Sequence, residues 1–161
     1  MRERLWHNLQ NAKFKATYLC ELSKRATIWG NLYSFVLAFG TAGSVAAWAV
    51  WESFPVIWAV IVGISQFLHV AKPYIPFLKT DKEFMELSFK YESLYLCYEK
   101  LWFVLENEKE DEDSIEEQFY VLRDTEFEFL NNMKHIYIPD FVGLAKRTSS
   151  AVAGELSHAF Q

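Results

Sequence analysis

Two uncharged stretches constrain this chain more than any other feature of its sequence. The first runs from residue 26 to 51 and the second from 53 to 71, with Glu52 alone between them. An α-helix needs roughly 20 apolar residues to cross about 30 Å of hydrocarbon. The remaining residues are too few to cover two such helices inside a soluble domain. We therefore predict an all-α membrane protein, with a two-helix transmembrane hairpin whose spans cover residues 28–51 and 55–71.

Basic residues predict the orientation of this hairpin. Lysine and arginine occur before the first span and after the second, whereas the loop between the spans has neither. Short loops rich in these residues stay in the cytoplasm. We therefore expect both termini to be cytoplasmic.

Charge divides the rest of the chain into unlike parts. Residues 1–25, predicted to form an amphipathic cytoplasmic helix, carry six basic and two acidic side chains, whereas residues 72–139 carry eight basic and sixteen acidic ones. We assign residues 26–71 to the hairpin and 72–161 to a cytoplasmic helical domain. An acidic domain repels nucleic acid in general, so an anionic ligand requires a local basic patch.

A regular apolar pattern occupies residues 84 to 105. Its members recur at alternating spacings of three and four, which is typical of a coiled coil or helical bundle. We predict that this seam joins copies of the chain, although the heptad of residues 5–19 offers it a partner within the chain. The seam consists of Phe84, Leu87, Tyr91, Leu94, Tyr98, Leu101 and Leu105. Phe89, Leu96, Trp102 and Phe103 lie off it, which indicates packing against both the same chain and a neighbour.

The sequence also indicates how the cytoplasmic helices begin and end. Residues 106–113 are strongly acidic and lack the ligand spacing of an EF-hand, so we interpret them as a solvated turn. The Ser-x-x-Glu pattern that starts at Ser114 predicts a capping box and a second helix antiparallel to the first. Pro139 ends that helix, and Asp140 is expected to cap a last one.

Polar residues within the spans predict a water-filled path. Such residues at this depth usually face a bundle interior. The pore-lining candidates are Asn31, Ser34, Ala38 and Thr41 in the first span and Ser65, Gln66 and His69 in the second. Interhelical hydrogen bonding without conduction is the alternative interpretation. Two helices cannot enclose a channel, so a pore requires a homo-oligomer, with four or more copies expected.

Small residues predict where the spans pack against each other. Small side chains let membrane helices approach closely. The packing candidates are Gly40, Gly43, Ser44 and Ala47 in the first span and Ala59 and Gly63 in the second.

Catalytic patterns are lacking in the sequence. The four histidines are scattered, and we find no phosphate-binding glycine loop and no nucleophile–base grouping with family spacing. We therefore expect no enzyme activity, no cofactor and no metal site.

The layout resembles a known family. A short amino-terminal helix, two closely joined spans and an acidic, aromatic-rich helix around residues 91–102 are similar to the SLATT class of two-span bacterial effectors. The stand-alone form resembles the membrane effectors of Hailong-type anti-phage systems, which pair with a nucleotidyltransferase. The resemblance implies a pore in the bacterial inner membrane that kills or arrests infected cells, gated by a nucleotide or oligonucleotide ligand.

Four residues are candidates for holding that ligand. Lys134, His135, Lys146 and Arg147 could contact phosphate, and nearby Tyr137 and Phe141 could stack on a base. A lipid-headgroup anchor or an exposed helix pair remains the alternative for residues 146 and 147.

The leading prediction is therefore a ligand-gated oligomeric pore. The rival is a non-conducting membrane anchor that assembles a cytoplasmic partner through its coiled-coil helices.

Overall fold

Five α-helices make up the described part of the chain. The computed structural model describes residues 1–50, 55–71, 80–107 and 111–160, and within residues 39–50 and at 55 and 58 it describes the backbone alone. The helices are α1 (Arg2–Val50), α2 (Pro55–Ala71), α3 (Asp81–Glu106), α4 (Glu112–Asn132) and α5 (Val142–Ala159). These ranges contain no strand, so the predicted all-α class is confirmed.

The two predicted spans fall on the second half of α1 and on α2. Over the residues that the structure describes, no helix has both the length and the apolar character that a membrane crossing requires. Residues 51–54, which were predicted to complete the first span and turn the chain, lie outside the described residues, as do residues 108–110 of the predicted acidic turn.

The helices form two compact units. Unit 1 contains Met1–Ser23 and Lys82–Gln161, and unit 2 contains Lys24–Asp81. The amino-terminal part of α1 thus packs with α3, α4 and α5, while the rest of α1 belongs with α2.

The heptad of α3 forms the centre of unit 1. All seven of its side chains are at most 5% exposed within a single chain. The apolar face of α1 meets it: Leu5, Leu9, Ala12, Ala16 and Leu19 are buried too, and the Ser88 hydroxyl donates to the Ala16 carbonyl at 2.8 Å. The structure therefore uses the predicted seam inside the chain, and joining copies through it would require this core to open.

Helix α4 returns antiparallel to α3, as predicted. The Tyr98 and Phe119 rings lie 6.0 Å apart, and those of Tyr91 and Phe129 lie 5.1 Å apart. Its predicted start at Ser114 is wrong, because the helix begins at Glu112 after Asp111. The reason is that Glu112 and Asp113 also suit a first turn, where the helix dipole favours acidic side chains.

Helix α5 covers the remaining side of the core. Its buried residues recur every four positions, at Leu144, Thr148, Val152 and Leu156. Phe141, rather than the predicted Asp140, precedes its first turn. The chain is fixed there by Tyr18 on α1, whose hydroxyl donates to the Pro139 carbonyl at 2.7 Å and accepts from the Phe141 amide at 3.0 Å.

In unit 2, one side of α2 is covered and the rest is exposed. Ser65 is buried and Leu68 is half-buried, and the Tyr33 hydroxyl on α1 donates to the Leu68 carbonyl. The predicted packing residues of α2 are not on this side, because Ala59 is exposed and a Cβ added at Gly63 would meet no atom within 4 Å among the described residues. Their predicted partners Gly40, Gly43, Ser44 and Ala47 lie outside the described side chains.

Candidate functional site

The polar stripe of α1 lies on an exposed side of unit 2. Asn31, Ser34 and Ala38 are all exposed, one helical turn apart, while Thr41 lies outside the described side chains. In the single chain this stripe is therefore available to water or to another copy.

The polar residues of α2 do not share one environment. Gln66 and His69 are exposed, whereas Ser65 is only 7% exposed. We predicted one polar face because the three residues are close on a helical wheel, but Ser65 lies on the side of α2 that is covered. Of the three, Gln66 and His69 are exposed in the single chain.

A small polar cavity adjoins the start of the α1 stripe. It has a volume of about 210 Å³, and its polar lining comes from Thr27, Asn31, Tyr33, Ser34 and Asp81. The Thr27 hydroxyl lies 3.5 Å from an Asp81 carboxylate oxygen. Two predicted pore-lining residues, Asn31 and Ser34, thus share a small recess with an acidic side chain.

The rest of the unit 2 surface is strongly apolar. Large hydrophobic side chains are exposed on both of its helices: Ile28, Trp29, Leu32, Phe35, Val56, Ile57, Val60, Val62, Ile64, Phe67 and Val70. A soluble monomer rarely exposes so many apolar side chains together, and extended apolar patches mark contacts with partners or lipid.

The four predicted ligand residues are all at the surface. Lys134 and His135 follow the end of α4, and Lys146 and Arg147 lie in the first turns of α5. The His135 imidazole is 3.9 Å from the Glu83 carboxylate, an interaction that requires a protonated imidazole. Tyr137 and Phe141 are exposed as well, as base stacking would require.

A cavity between α1 and α5 lies near the second of these pairs. Its volume is about 310 Å³, and His7, Gln10, Asn11 and Ser149 supply its polar lining. Ser149 reaches this cavity, whereas the neighbouring Thr148 is buried in the core. None of the four ligand candidates lines this cavity.

A buried carboxylate connects α1 to α4 in unit 1. Glu126 is only 7% exposed, and its oxygens lie 3.0 Å from Lys15 Nζ and 3.0 Å from an Arg123 nitrogen. Burial, reinforced by this carboxylate, raises the pKa of the Tyr91 hydroxyl well above its ordinary range. Glu126 therefore forms salt bridges with one side chain of α1 and one of α4 at the edge of an apolar core.

A second ionic contact joins α1 to α3 and α5. Lys13 Nζ lies 3.3 Å from Glu92 and 3.2 Å from Glu155, and 4.6 Å from the centre of the Tyr95 ring. Burial alone would lower the pKa of Lys13, but the two carboxylates outweigh it and raise the pKa. The sequence alone did not identify either ionic cluster, since their members lie far apart along the chain.

The described residues contain no group of three histidine, cysteine or acidic side chains that could hold a metal ion. Cys20 and Cys97 are free thiols, with Cys20 half-buried and Cys97 exposed. Comparison of the chain with protein-family models, with curated proteins and with solved structures found no match.

Proposed function

We propose that this chain is an oligomeric pore of the bacterial inner membrane, in which the unit 2 helices enter the bilayer and unit 1 controls conduction from the cytoplasmic side. The observation that carries the proposal is the exposed apolar surface of α1 and α2, in a stretch with Glu52 as its one charged residue between Arg25 and Lys72. Lipid is the environment in which such a surface is stable.

The polar side chains of unit 2 favour conduction over simple anchoring. Asn31, Ser34 and Gln66 are exposed in the single chain, although they lie among apolar neighbours. Polar groups within a membrane are costly when they face lipid. Several copies that turn these side chains toward a common axis would hydrate them.

Gating by a nucleotide or oligonucleotide signal is part of the proposal, on the resemblance to SLATT effectors. The exposed side chains of Lys134, His135, Lys146 and Arg147 are the docking candidates, with the signal supplied by a partner nucleotidyltransferase. Their exposure supports this assignment, since a phosphate contact requires accessible donors.

Ion flux from proteoliposomes tests the proposal. We expect the purified chain to release trapped potassium, in the presence or in the absence of ribonucleoside triphosphates, and the Asn31→Leu/Ser34→Leu/Gln66→Leu variant to lose this flux while still inserting. Val60→Leu, an apolar change on the exposed side of α2, is the matched control and should conduct normally. No flux under either condition would refute a pore.

A second candidate is a membrane anchor that recruits a cytoplasmic partner. The observation that favours it is the set of aromatic side chains exposed on α3 and α4 of unit 1. For an anchor, the triple leucine variant would leave function unchanged, whereas charged substitutions at Phe89 or Phe127 would abolish it.

A further inference from the structure

Two apolar stripes lie on the outward sides of α3 and α4. The α3 stripe consists of Phe89, Leu96 and Phe103, spaced seven residues apart, and the α4 stripe consists of Tyr120 and Phe127, also seven apart. All five side chains are between 51% and 70% exposed. Residues seven apart lie almost directly above one another on a helix, so each set forms a continuous ridge.

The two stripes point in opposite directions. At about 100° per residue, Leu96 lies about 160° around α3 from Tyr98, whose ring faces α4. In the same way, Tyr120 lies about 160° around α4 from Leu122, which lines the cleft between α4 and α3. Unit 1 therefore carries one apolar stripe on each of two opposite edges of the α3–α4 pair.

Along the helix axes, the side chains of the α4 stripe lie at the levels of the gaps in the α3 stripe. The contacts Tyr98–Phe119 and Tyr91–Phe129 set the antiparallel register of α3 and α4. In this register, Tyr120 lies between the heights of Leu96 and Phe103, and Phe127 lies between the heights of Phe89 and Leu96. If copies are arranged side by side without an axial shift, each α4 ring enters a gap in the α3 stripe of the next copy, as knobs enter holes.

Charge favours this arrangement over pairing of like helices. The exposed side of α4 carries Glu116, Glu117, Asp124 and Glu128, so two α4 stripes brought together would repel each other. Lys100 of α3 and Glu117 of α4 both line the cleft between these two helices within one chain, so Lys100 does not contribute to the contact between copies.

We infer that copies of this chain join head to tail, with the α3 stripe of one copy packed against the α4 stripe of the next. Such a heterologous interface repeats from copy to copy, and it forms a ring if the rotation between copies closes and an open row if it does not. The inference rests on the proposed function in that it supplies the interface of the proposed oligomer, but its test does not depend on conduction.

Disulfide cross-linking of the full chain in cell membranes tests this interface. In a background of Cys20→Ser and Cys97→Ser, the Leu96→Cys/Tyr120→Cys variant is oxidised and resolved without reducing agent. We expect most of the chain to shift into a ladder of dimers and higher covalent oligomers that reduction abolishes. The two cysteines of one chain cannot meet, because they lie on opposite edges and a disulfide needs Cα atoms within about 7 Å.

Single variants make the test directional. Leu96→Cys alone and Tyr120→Cys alone should stay monomeric, and so should Leu96→Cys combined with Ser157→Cys on the exposed side of α5. Dimers from either single variant would show pairing of like helices and overturn the inference, as would the lack of a ladder from the double variant. A ladder without ion flux would retain the interface and refute the pore.

Discussion

Removing the hydroxyl of Tyr98 should stabilise the protein. Tyr98 is only 1% exposed, and its hydroxyl oxygen has no hydrogen-bond partner among the described residues. Burial raises the pKa of Tyr98 and Arg123 is near enough to oppose that rise, but the hydrogen bonds with good geometry that Arg123 donates go to Asn8 and Glu126. A buried polar group without a partner raises the free energy of the folded state, so Tyr98→Phe removes a penalty rather than a contact.

The size of the gain follows from two opposing effects. Leaving a buried polar atom unsatisfied costs about 1–3 kcal/mol. Deleting one oxygen also leaves a small void and loses its dispersion contacts, which together amount to a few tenths of a kcal/mol up to about 1 kcal/mol. We therefore expect Tyr98→Phe to raise the free energy of unfolding by about 1 kcal/mol.

The same substitution at Tyr18 and Tyr95 provides matched controls. Tyr18→Phe removes the two hydrogen bonds to Pro139 and Phe141 and should lower the free energy of unfolding by about 1–3 kcal/mol. Tyr95→Phe removes the bond to Glu99 at 2.9 Å and should lower it by about 1 kcal/mol.

Urea unfolding of the full chain, followed by far-ultraviolet circular dichroism, measures this series. With an unchanged denaturant slope, 1 kcal/mol moves the midpoint by roughly 0.3–1 M. The reasoning is refuted if Tyr98→Phe unfolds at lower urea than the wild type, since its hydroxyl would then be making a favourable bond.

Three further perturbations test other parts of the structure. Raising the pH should destabilise unit 1, because burial raises the pKa of Tyr98 from its ordinary value of 10.0 to about 12 and the unfolded state therefore loses the proton first. In alkaline melts, Tyr98 alone should lower the free energy of unfolding by roughly 1.4 kcal/mol per pH unit above pH 10, about 3 kcal/mol by pH 12, and this part should be absent in Tyr98→Phe. Tyr91 and Tyr95, whose pKa values burial also raises, should add to the loss in both proteins. Glu126→Gln should lower the free energy of unfolding by about 1–3 kcal/mol in urea titrations, because Lys15 and Arg123 lose the carboxylate that they share. An unchanged urea midpoint would contradict this, since it would show that Lys15 and Arg123 interact equally well with water. Gly63→Ala should stabilise α2 by about 1 kcal/mol in thermal melts, because alanine favours the helix and the added Cβ would meet no atom within 4 Å. A lower melting temperature for this variant would show that another group lies close to residue 63.

The helical class and the core of α3 could be predicted from periodicity, because the residues that face the core repeat at the helical spacing. The partner of that face could not. A heptad is the same whether it packs within a chain or between chains, and the burial of all seven residues shows that α1, α4 and α5 cover it.

Contacts between distant parts of the chain could not be predicted from the sequence. In the sequence, Glu126 is one of many acidic residues in a helix expected to face solvent. In the structure it is bound by Lys15, which is 111 positions away. Tyr18 likewise fixes a turn 121 positions along the chain. No local pattern signals either contact, because tertiary packing alone brings these residues together.

The polar residues of α2 show a third limit of prediction from the sequence. A helical wheel places Ser65 and Gln66 on nearby directions, but it cannot say which direction a neighbouring helix covers. The structure separates them, with Ser65 buried and Gln66 exposed.

Labelling of single cysteines on α2 tests the central claim most directly. Val60 and Phe67 are 54% and 73% exposed in the single chain, so lipid must cover them if unit 2 enters a bilayer. In cell membranes opened to the reagent, and with Cys20 and Cys97 replaced by serine, Val60→Cys and Phe67→Cys should resist a membrane-impermeant maleimide, whereas Ser157→Cys on α5 should react. Denaturing detergent should make all three reactive. Prompt labelling of residues 60 and 67 in intact membranes would contradict a membrane-embedded unit 2.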